Sequence, residues 1–345
     1  MRKTRIKMSG LVFFWVAMIS LFSCNKEEQQ APITSITLNG VKVSYFMYQI
    51  QYLEEHATID MLGANDYDML IVEPGFNFKE DPYDVNYLVN KLKNKTNGDK
   101  RLLLAYIDIG QAENWRTYWG SGWIAPTATQ PGDPNFLITI DPDGWEGNYP
   151  VAYWDTAWQN IWLKDNGLIK QIADYGFDGV YLDWVEAYDD EKVREYAATQ
   201  SINTENEMMK FIENIRNTGK AVNPDFLIIS QNAPYLIDAN PNYYTSIIDA
   251  LATEDTWFYG EGDADWNSSN AGDMEGGERH SGDYSTENRI EQNKKYLDYG
   301  VPVFTVDYCI SQENADFVYN ESRKNGFIPL VTRVALSEIT ETPPF

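Results

Sequence analysis

Eight times along this 345-residue chain, a short run of apolar, β-branched or aromatic residues gives way to a polar or helix-like stretch. The runs are "VSYFMY" from Val43, "DMLIV" from Asp68, "RLLLAYIDI" from Arg101, "FDGVYLD" from Phe177, "FLIIS" from Phe226, "IIDALATED" from Ile247, "VPVFTVDY" from Val301 and "FIPLVT" from Phe327. Near-continuous apolar strands belong to parallel sheets covered on both faces. Amphipathic helical patterns between them, such as "DVNYLVNKLKNK", "TENEMMKFIENIRNTGK" and "ENRIEQNKKYLDYG", supply the cover. Gly219 and Gly300 stand where the C-caps of the last two helices are expected. Eight such units predict an α/β fold, a (β/α)8 TIM barrel with long loops on its C-terminal face, formed by residues 41–345 as one domain. No internal repeat is visible.

In such a barrel the chemistry collects where strands end. Five of the runs end in acid: Glu73, Asp108, Asp183, Glu254 and Asp307. Gathered around one opening, these carboxylates repel each other. They persist there when some are protonated, or when a cation or polyol satisfies them. Two carboxylates flanking a bond are the equipment of glycoside hydrolysis. Aromatic faces suit the C–H surface of a sugar ring, and Trp115, Trp119, Trp123, Trp184 and Trp257 sit near these acids in sequence. Two long segments, Thr117 to Trp158 and Gly260 to Ser285, follow strands and should lie on the same face. Trp123 and Trp145, in the first, are harder to explain as core than the others.

Other chemistries fit poorly. Only His56 and His280 are present, which disfavours histidine zinc sites and Ser–His or Cys–His triads. There is no phosphate-binding glycine loop, nucleophile elbow or dinucleotide fingerprint. The Gly260–Ser285 segment has Asp/Asn spacing without EF-hand order; it reads as a solvated acidic loop, with calcium the alternative. No cofactor is expected and no metal is assigned.

The N-terminus reads as an address rather than as fold. Arg2, Lys3, Arg5 and Lys7 precede the apolar "LVFFWVAMISLFS", too short to span a bilayer comfortably. Leu21, Ser23 and Cys24 resemble a bacterial lipoprotein box, which implies cleavage after residue 23 and lipidation of Cys24; an ordinary signal peptide meeting a cysteine is the alternative. Residues 24–40 read as a tether, and the acids behind Cys24 resemble a surface-export signal. The expected location is extracytoplasmic, lipid-anchored to the bacterial outer membrane. Removing 23 residues takes away four of the 27 Lys and Arg and none of the 52 Asp and Glu, which moves the net charge from −25 to −29. Such a chain should repel nucleic acid and anionic lipid and attract a cationic polymer. Cys309 is then the sole remaining cysteine and is expected to be a small buried residue.

Several ordered motifs, from about Val43 to the C-terminus, resemble glycoside hydrolase family 114, the endo-α-1,4-polygalactosaminidase-like barrels. They are "LLLAYIDIGQAENWRTYW", "GFDGVYLDWVEAYD", "LATEDTWFYG", "VPVFTVDY" and "NGFIPLVT". The resemblance implies Asp183 as nucleophile and Glu254 as general acid/base, and retention of configuration if their carboxyls lie about 5–5.5 Å apart. Arg116 and Asp178 would orient the pair or the substrate, a purely structural role for Asp178 at its strand start being the alternative. Tyr48, Glu73, Asp108, Trp115, Arg116, Trp119, Trp184, Trp257 and Asp307 are the expected substrate contacts. The implied substrate is an α-linked amino-sugar polysaccharide, cationic when de-acetylated, which agrees with the acidic charge. The chain departs from the family pattern at Gln111, where Glu is expected, and at Asp108, where Ser is expected. The alternative function is a surface glycan-binding lipoprotein that does not cut.

Overall fold

The computed structural model describes residues 30–275 and 282–343. The expected signal segment and Cys24 lie outside them, as do residues 276–281 of the acidic loop. Residues Ala31–Phe345 form one compact unit. Its centre is an eight-stranded, all-parallel sheet: β1 (Phe46–Gln49), β2 (Met69–Val72), β3 (Leu102–Asp108), β4 (Gly179–Asp183), β5 (Leu227–Gln231), β6 (Ala250–Glu254), β7 (Val303–Tyr308) and β8 (Ile328–Thr332). Every strand coincides with a run read from the sequence, β1 and β5 each extending one residue past it, to Gln49 and Gln231. The strands pair in chain order, curl into a nearly closed (β/α)8 barrel and are surrounded by helices. Between β8 and β1, closure comes from the segment after β8. Leu336 O accepts Ile50 N at 3.0 Å, and Ser337 O accepts the Gln49 amide at 2.8 Å. Phe46 and Phe304 meet edge-on across the interior at 5.0 Å.

The covering helices begin where short polar side chains can satisfy their free N–H groups. Asp84 caps Val85–Leu92, Asp190 caps Glu191–Thr199, Asn203 caps Thr204–Val222 and Ser285 caps Thr286–Asp298. Part of the acid that follows Asp183 therefore serves helix initiation. Gly300, with φ +76°, ends the Thr286–Asp298 helix as expected, its N–H bonding Leu297 O at 2.9 Å. Gly219 does not end its helix, which runs on to Val222. A Cβ there would lie 2.2 Å from the Phe226 ring, so this glycine lets the helix approach the start of β5.

At the opposite end of the barrel, Asp178 precedes β4 and binds Lys93 Nζ and Leu103 N at 2.8 and 2.9 Å. Its role there is to tie strands together at the end remote from the strand-end acids. Ile36–Leu38, within the segment read as tether, pairs antiparallel with Val41–Val43. Cys309 is buried. Among the described residues no helix is long and apolar enough to cross a membrane.

Candidate active site

Strand alternation sorts the five strand-end acids. Side chains two apart on a strand share a face, and neighbours face opposite ways. Tyr181 and Asp183 therefore share a face of β4, as do Tyr106 and Asp108 on β3, while Asp307 and Tyr308 point apart on β7. Register places Asp108 beside Asp183. The rings of Tyr48 and Tyr181 meet at 5.1 Å, and those of Tyr48 and Tyr106 at 6.0 Å, which forms a tyrosine floor under the mouth.

Three of the acids are buried and held by groups inside the protein, although Asp307 Oδ2 is buried without a hydrogen-bond partner. Glu73 receives two bonds from Arg116, at 2.9 and 2.8 Å, and one from Gly75 N at 2.9 Å. Arg116 also holds Glu113 at 2.6 and 3.0 Å and Asn77 at 3.1 Å, and lies over the Phe78 ring at 4.7 Å. All three charged groups are buried. Asp108 takes Gly110 N and Gln111 N at 3.0 and 2.8 Å. Asp307 takes Trp257 N and Phe258 N at 2.6 and 3.0 Å, fixing the turn after β6. Burial pushes its carboxyl up to about 7, against the pull of those N–H groups.

Asp183 and Glu254 differ from the other three in retaining solvent access. Asp183 accepts Tyr106 OH at 2.5 Å and its own neighbour's N–H, Trp184, at 2.8 Å. Glu254 accepts the Gln231 and Asn232 amides at 2.5 and 2.7 Å, and Tyr308 OH. Asn232 Oδ1 also accepts Glu254 N at 2.9 Å, so one side chain fixes both ends of this residue. Arg289 holds the Glu254 carbonyl at 2.5 Å. Burial, then the charge of Glu254, pushes the Asp183 carboxyl up to about 7. Glu186, one turn further on, is pushed well up by burial and then by Asp183, and its Oε2 is buried without a hydrogen-bond partner.

The backbone is strained at these strand ends. Trp184, Asn232 and Asp255, each just past Asp183, Gln231 or Glu254, have φ of 55°, 53° and 58°. Asn and Asp tolerate this left-handed region; Trp does so at more cost. Gly110 makes room, because a Cβ there would lie 2.2 Å from Trp184 O.

The expected sugar-facing aromatics separate as well. Trp184 is half-buried beside Asp183, and Trp257 is buried at the Asp307 turn. Trp119 packs on Trp123 and Tyr149, each at 5.2 Å. Trp123, unlike the sequence reading, stands edge-on to Phe136 at 5.2 Å and packs against the main core, which includes Trp158. Trp115 and Trp145 are exposed. Tyr106, Tyr308, Gln231, Asn232 and Glu186 were missed by sequence reasoning. For Tyr106 and Tyr308 the available signal was strand parity and a place one or two residues from a strand-end acid; Gln231 and Asn232, at the end of a strand without an acid, and Glu186, three residues past Asp183, carried no such signal. Among the described residues no group of three His, Cys, Asp or Glu is arranged to hold a metal. A concavity of about 640 Å³ near Lys42, Asp68 and Lys95 lies at the other end of the barrel, away from the strand-end acids.

The sequence profile described as glycoside-hydrolase family GH114 matches residues 81–344. The chain belongs to this family. Family membership makes it a glycoside hydrolase by class and implies a polysaccharide substrate. It is 32% identical to an uncharacterized protein of Deinococcus radiodurans over 244 residues, 71% of this chain and 68% of that one. It is 28% identical to the uncharacterized protein MJ1477 of Methanocaldococcus jannaschii, covering 87% and 79%. Among solved structures it is similar in fold to Aspergillus fumigatus Ega3 in complex with galactosamine, with TM-score 0.55, 14% identity, and 91% and 96% of the chains covered. The glycoside hydrolase domain of PelA from Pseudomonas aeruginosa gives TM-score 0.54 and 13% identity, covering 85% and 96%.

Proposed function

We propose that this glycoside hydrolase cleaves an α-linked, galactosamine-type polysaccharide with retention, Asp183 acting as nucleophile and Glu254 as general acid/base. The observation that carries this reading is the selective solvent access of Asp183 and Glu254 among five strand-end acids, with each held by a tyrosine hydroxyl. Glu254 gives its proton to the glycosidic oxygen as an Asp183 oxygen bonds the anomeric carbon. Water then adds to that carbon, Glu254 takes its proton, and Asp183 leaves as carboxylate. Burial first, and then the charge of Glu254, push the Asp183 carboxyl up. The galactosamine complex of a structural neighbour and the net charge of −25 support an amino sugar. We also read the N-terminus as a lipoprotein signal that tethers the barrel through Cys24 to the outer membrane, possession of the tether being checked by palmitate labelling that Cys24→Ala abolishes.

The test is product release from de-acetylated α-1,4-galactosaminan by residues 32–345. Oligosaccharides from wild type and none from Glu254→Gln are expected. With azide, Asp183→Ala should yield a glycosyl azide of inverted configuration and Glu254→Ala one of retained configuration. The opposite pattern exchanges the two roles, and release by Glu254→Gln at the wild-type rate rejects the pair.

A further inference from the structure

We propose that the end of the antiparallel hairpin formed by Gln111–Glu113 and Asn148–Pro150, which carries Trp115 and Trp145, is an outlying sugar platform, which holds polysaccharide units beyond the pair that cleaves the bond. This rests on the glycosidase reading above. Trp115 is 38% exposed and Trp145 is 51% exposed, whereas Trp158, Trp162, Trp257 and Trp266 are all at or below 9%. Two large indoles left exposed on one hairpin end, with the Trp115 ring against Gly147 two residues from Trp145, mark a binding surface.

The platform is built rather than loose. Gly144 and Gly147 bracket Trp145 with φ of +93° and +94°. A Cβ on Gly147 would lie 2.7 Å from the Trp115 ring, so that ring rests on bare backbone. Trp145 N is held by Asp141 Oδ1 at 2.9 Å. Asp141 is buried, and its other oxygen accepts the Gln111 amide at 2.5 Å. Gln111 N in turn bonds Asp108, the register neighbour of Asp183. A continuous set of hydrogen bonds thus connects the strand end beside the nucleophile to the Trp145 backbone.

The platform adjoins the cleft. Gly262, on the loop after β6, lies with its Cβ position 3.2 Å from the Trp145 ring. Asp143, two residues before Trp145, adds to the charge felt by Glu186, which also feels Asp183 and Glu254. The chemistry suits a hexose polymer: the indole faces take the C–H surfaces of the rings, and Asp143 and Glu146 flank Trp145 for amino groups. The same geometry explains the departure at position 111. An amide there donates to Asp141; a carboxylate would repel it. Gln111 is a positioning residue of the platform.

The experiment compares kcat/KM on long de-acetylated galactosaminan with kcat/KM on a trisaccharide, for wild type, Trp145→Ala, Trp145→Tyr, Trp115→Ala and Gln111→Glu. The polymer-to-trisaccharide ratio should fall about 5–10-fold in Trp145→Ala and Trp115→Ala, the size of one lost aromatic stack. Gln111→Glu should lower it in the same direction, and Trp145→Tyr should keep most of it. Quenching of indole emission by the polymer, measured in a Glu254→Gln background, should weaken when Trp145→Ala is added. An unchanged ratio together with unchanged quenching overturns the platform. So does an equal loss on both substrates, which would place the indoles at the reacting centre or in folding. Failure of wild type to cleave any galactosaminan overturns the substrate reading instead. The quenching measurement needs no turnover, so it still decides whether the indoles bind the polymer.

Discussion

The two sides of the barrel mouth hold the same kind of group, a carboxylate at a strand end, and neutralise it differently. On the β2–β3 side, Glu73 and Glu113 share one guanidinium, and Arg116 has its donors committed within the cluster. On the β4–β6 side, no Arg or Lys among the described residues bonds the carboxylate oxygens of Asp183 and Glu254; neutral donors, among them Tyr106, Tyr308, Gln231 and Asn232, hold them. A fixed cation keeps a buried carboxylate charged and inert. Neutral donors leave it able to exchange a proton, because burial and like charge then work against ionisation with nothing to oppose them but hydrogen bonds. The first arrangement is a structural clamp, and the second can do acid–base work.

This contrast is sharpest when each side loses one member. Arg116→Met strands two buried carboxylates and should lower unfolding stability by about 3–5 kcal/mol. Asp183→Asn removes a like charge and should leave the Tm at pH 8 unchanged or raised, while lowering kcat by about a thousandfold or more. Thermal melts beside rate assays on both variants decide the matter. If Asp183→Asn destabilised as much as Arg116→Met, the two sides would be alike and the functional contrast would fail.

Much of the fold was legible because a strand buried on both faces has almost no freedom in composition. All eight runs became barrel strands, from Phe46–Gln49 to Ile328–Thr332. The helices at Val85–Leu92 and Thr286–Asp298 were legible as periodic stretches, and Asp84 and Ser285 cap them. Gly219 was misread because the need for a bare backbone arises from Phe226, which packs there only after the fold has formed. In the site, the acids were visible but their sorting was not. Asp307 and Tyr308 are adjacent in sequence and lie on opposite faces of β7, a fact that strand parity states and composition hides. Tyr106 and Tyr308 look like ordinary core residues until the acid above each is placed, and Gln231 and Asn232 lie on a different strand end from the Glu254 they hold. Loop aromatics were the least legible. Trp123 and Trp145 have similar local sequences, yet one packs on Phe136 and the other faces solvent.

If neutral donors do tune the working carboxylates, removing one should affect rate before stability. Tyr308→Phe deletes the hydroxyl that reaches Glu254 and keeps the ring in place. Hydrogen bonds to charged groups are worth about 1.5–3 kcal/mol, so kcat/KM should fall about 10–100-fold, with a smaller change in Tm. A fall in Tm with kcat/KM unchanged would mean that Tyr308 serves the fold and not the working carboxylate.

The smallest effect is a slope. Asp183 and Asp307 are each pushed from 3.8 up to about 7 in the folded chain, chiefly by burial. Between those values the folded state binds more protons than the unfolded one, so each group's contribution to stability is complete below about pH 4 and is lost as pH rises through about 7. Each can add at most about 1.4 kcal/mol per pH unit to this decline. Asp183→Asn and Asp307→Asn should each flatten stability against pH between about 4 and 7 and leave it parallel to wild type above 8. Urea midpoints measured at half-unit steps of pH on both variants show the change of slope. Curves that stay parallel to wild type between about pH 4 and 7 would mean that burial does not push these two carboxyls up, and the distinction between clamp and working pair would rest on solvent access alone.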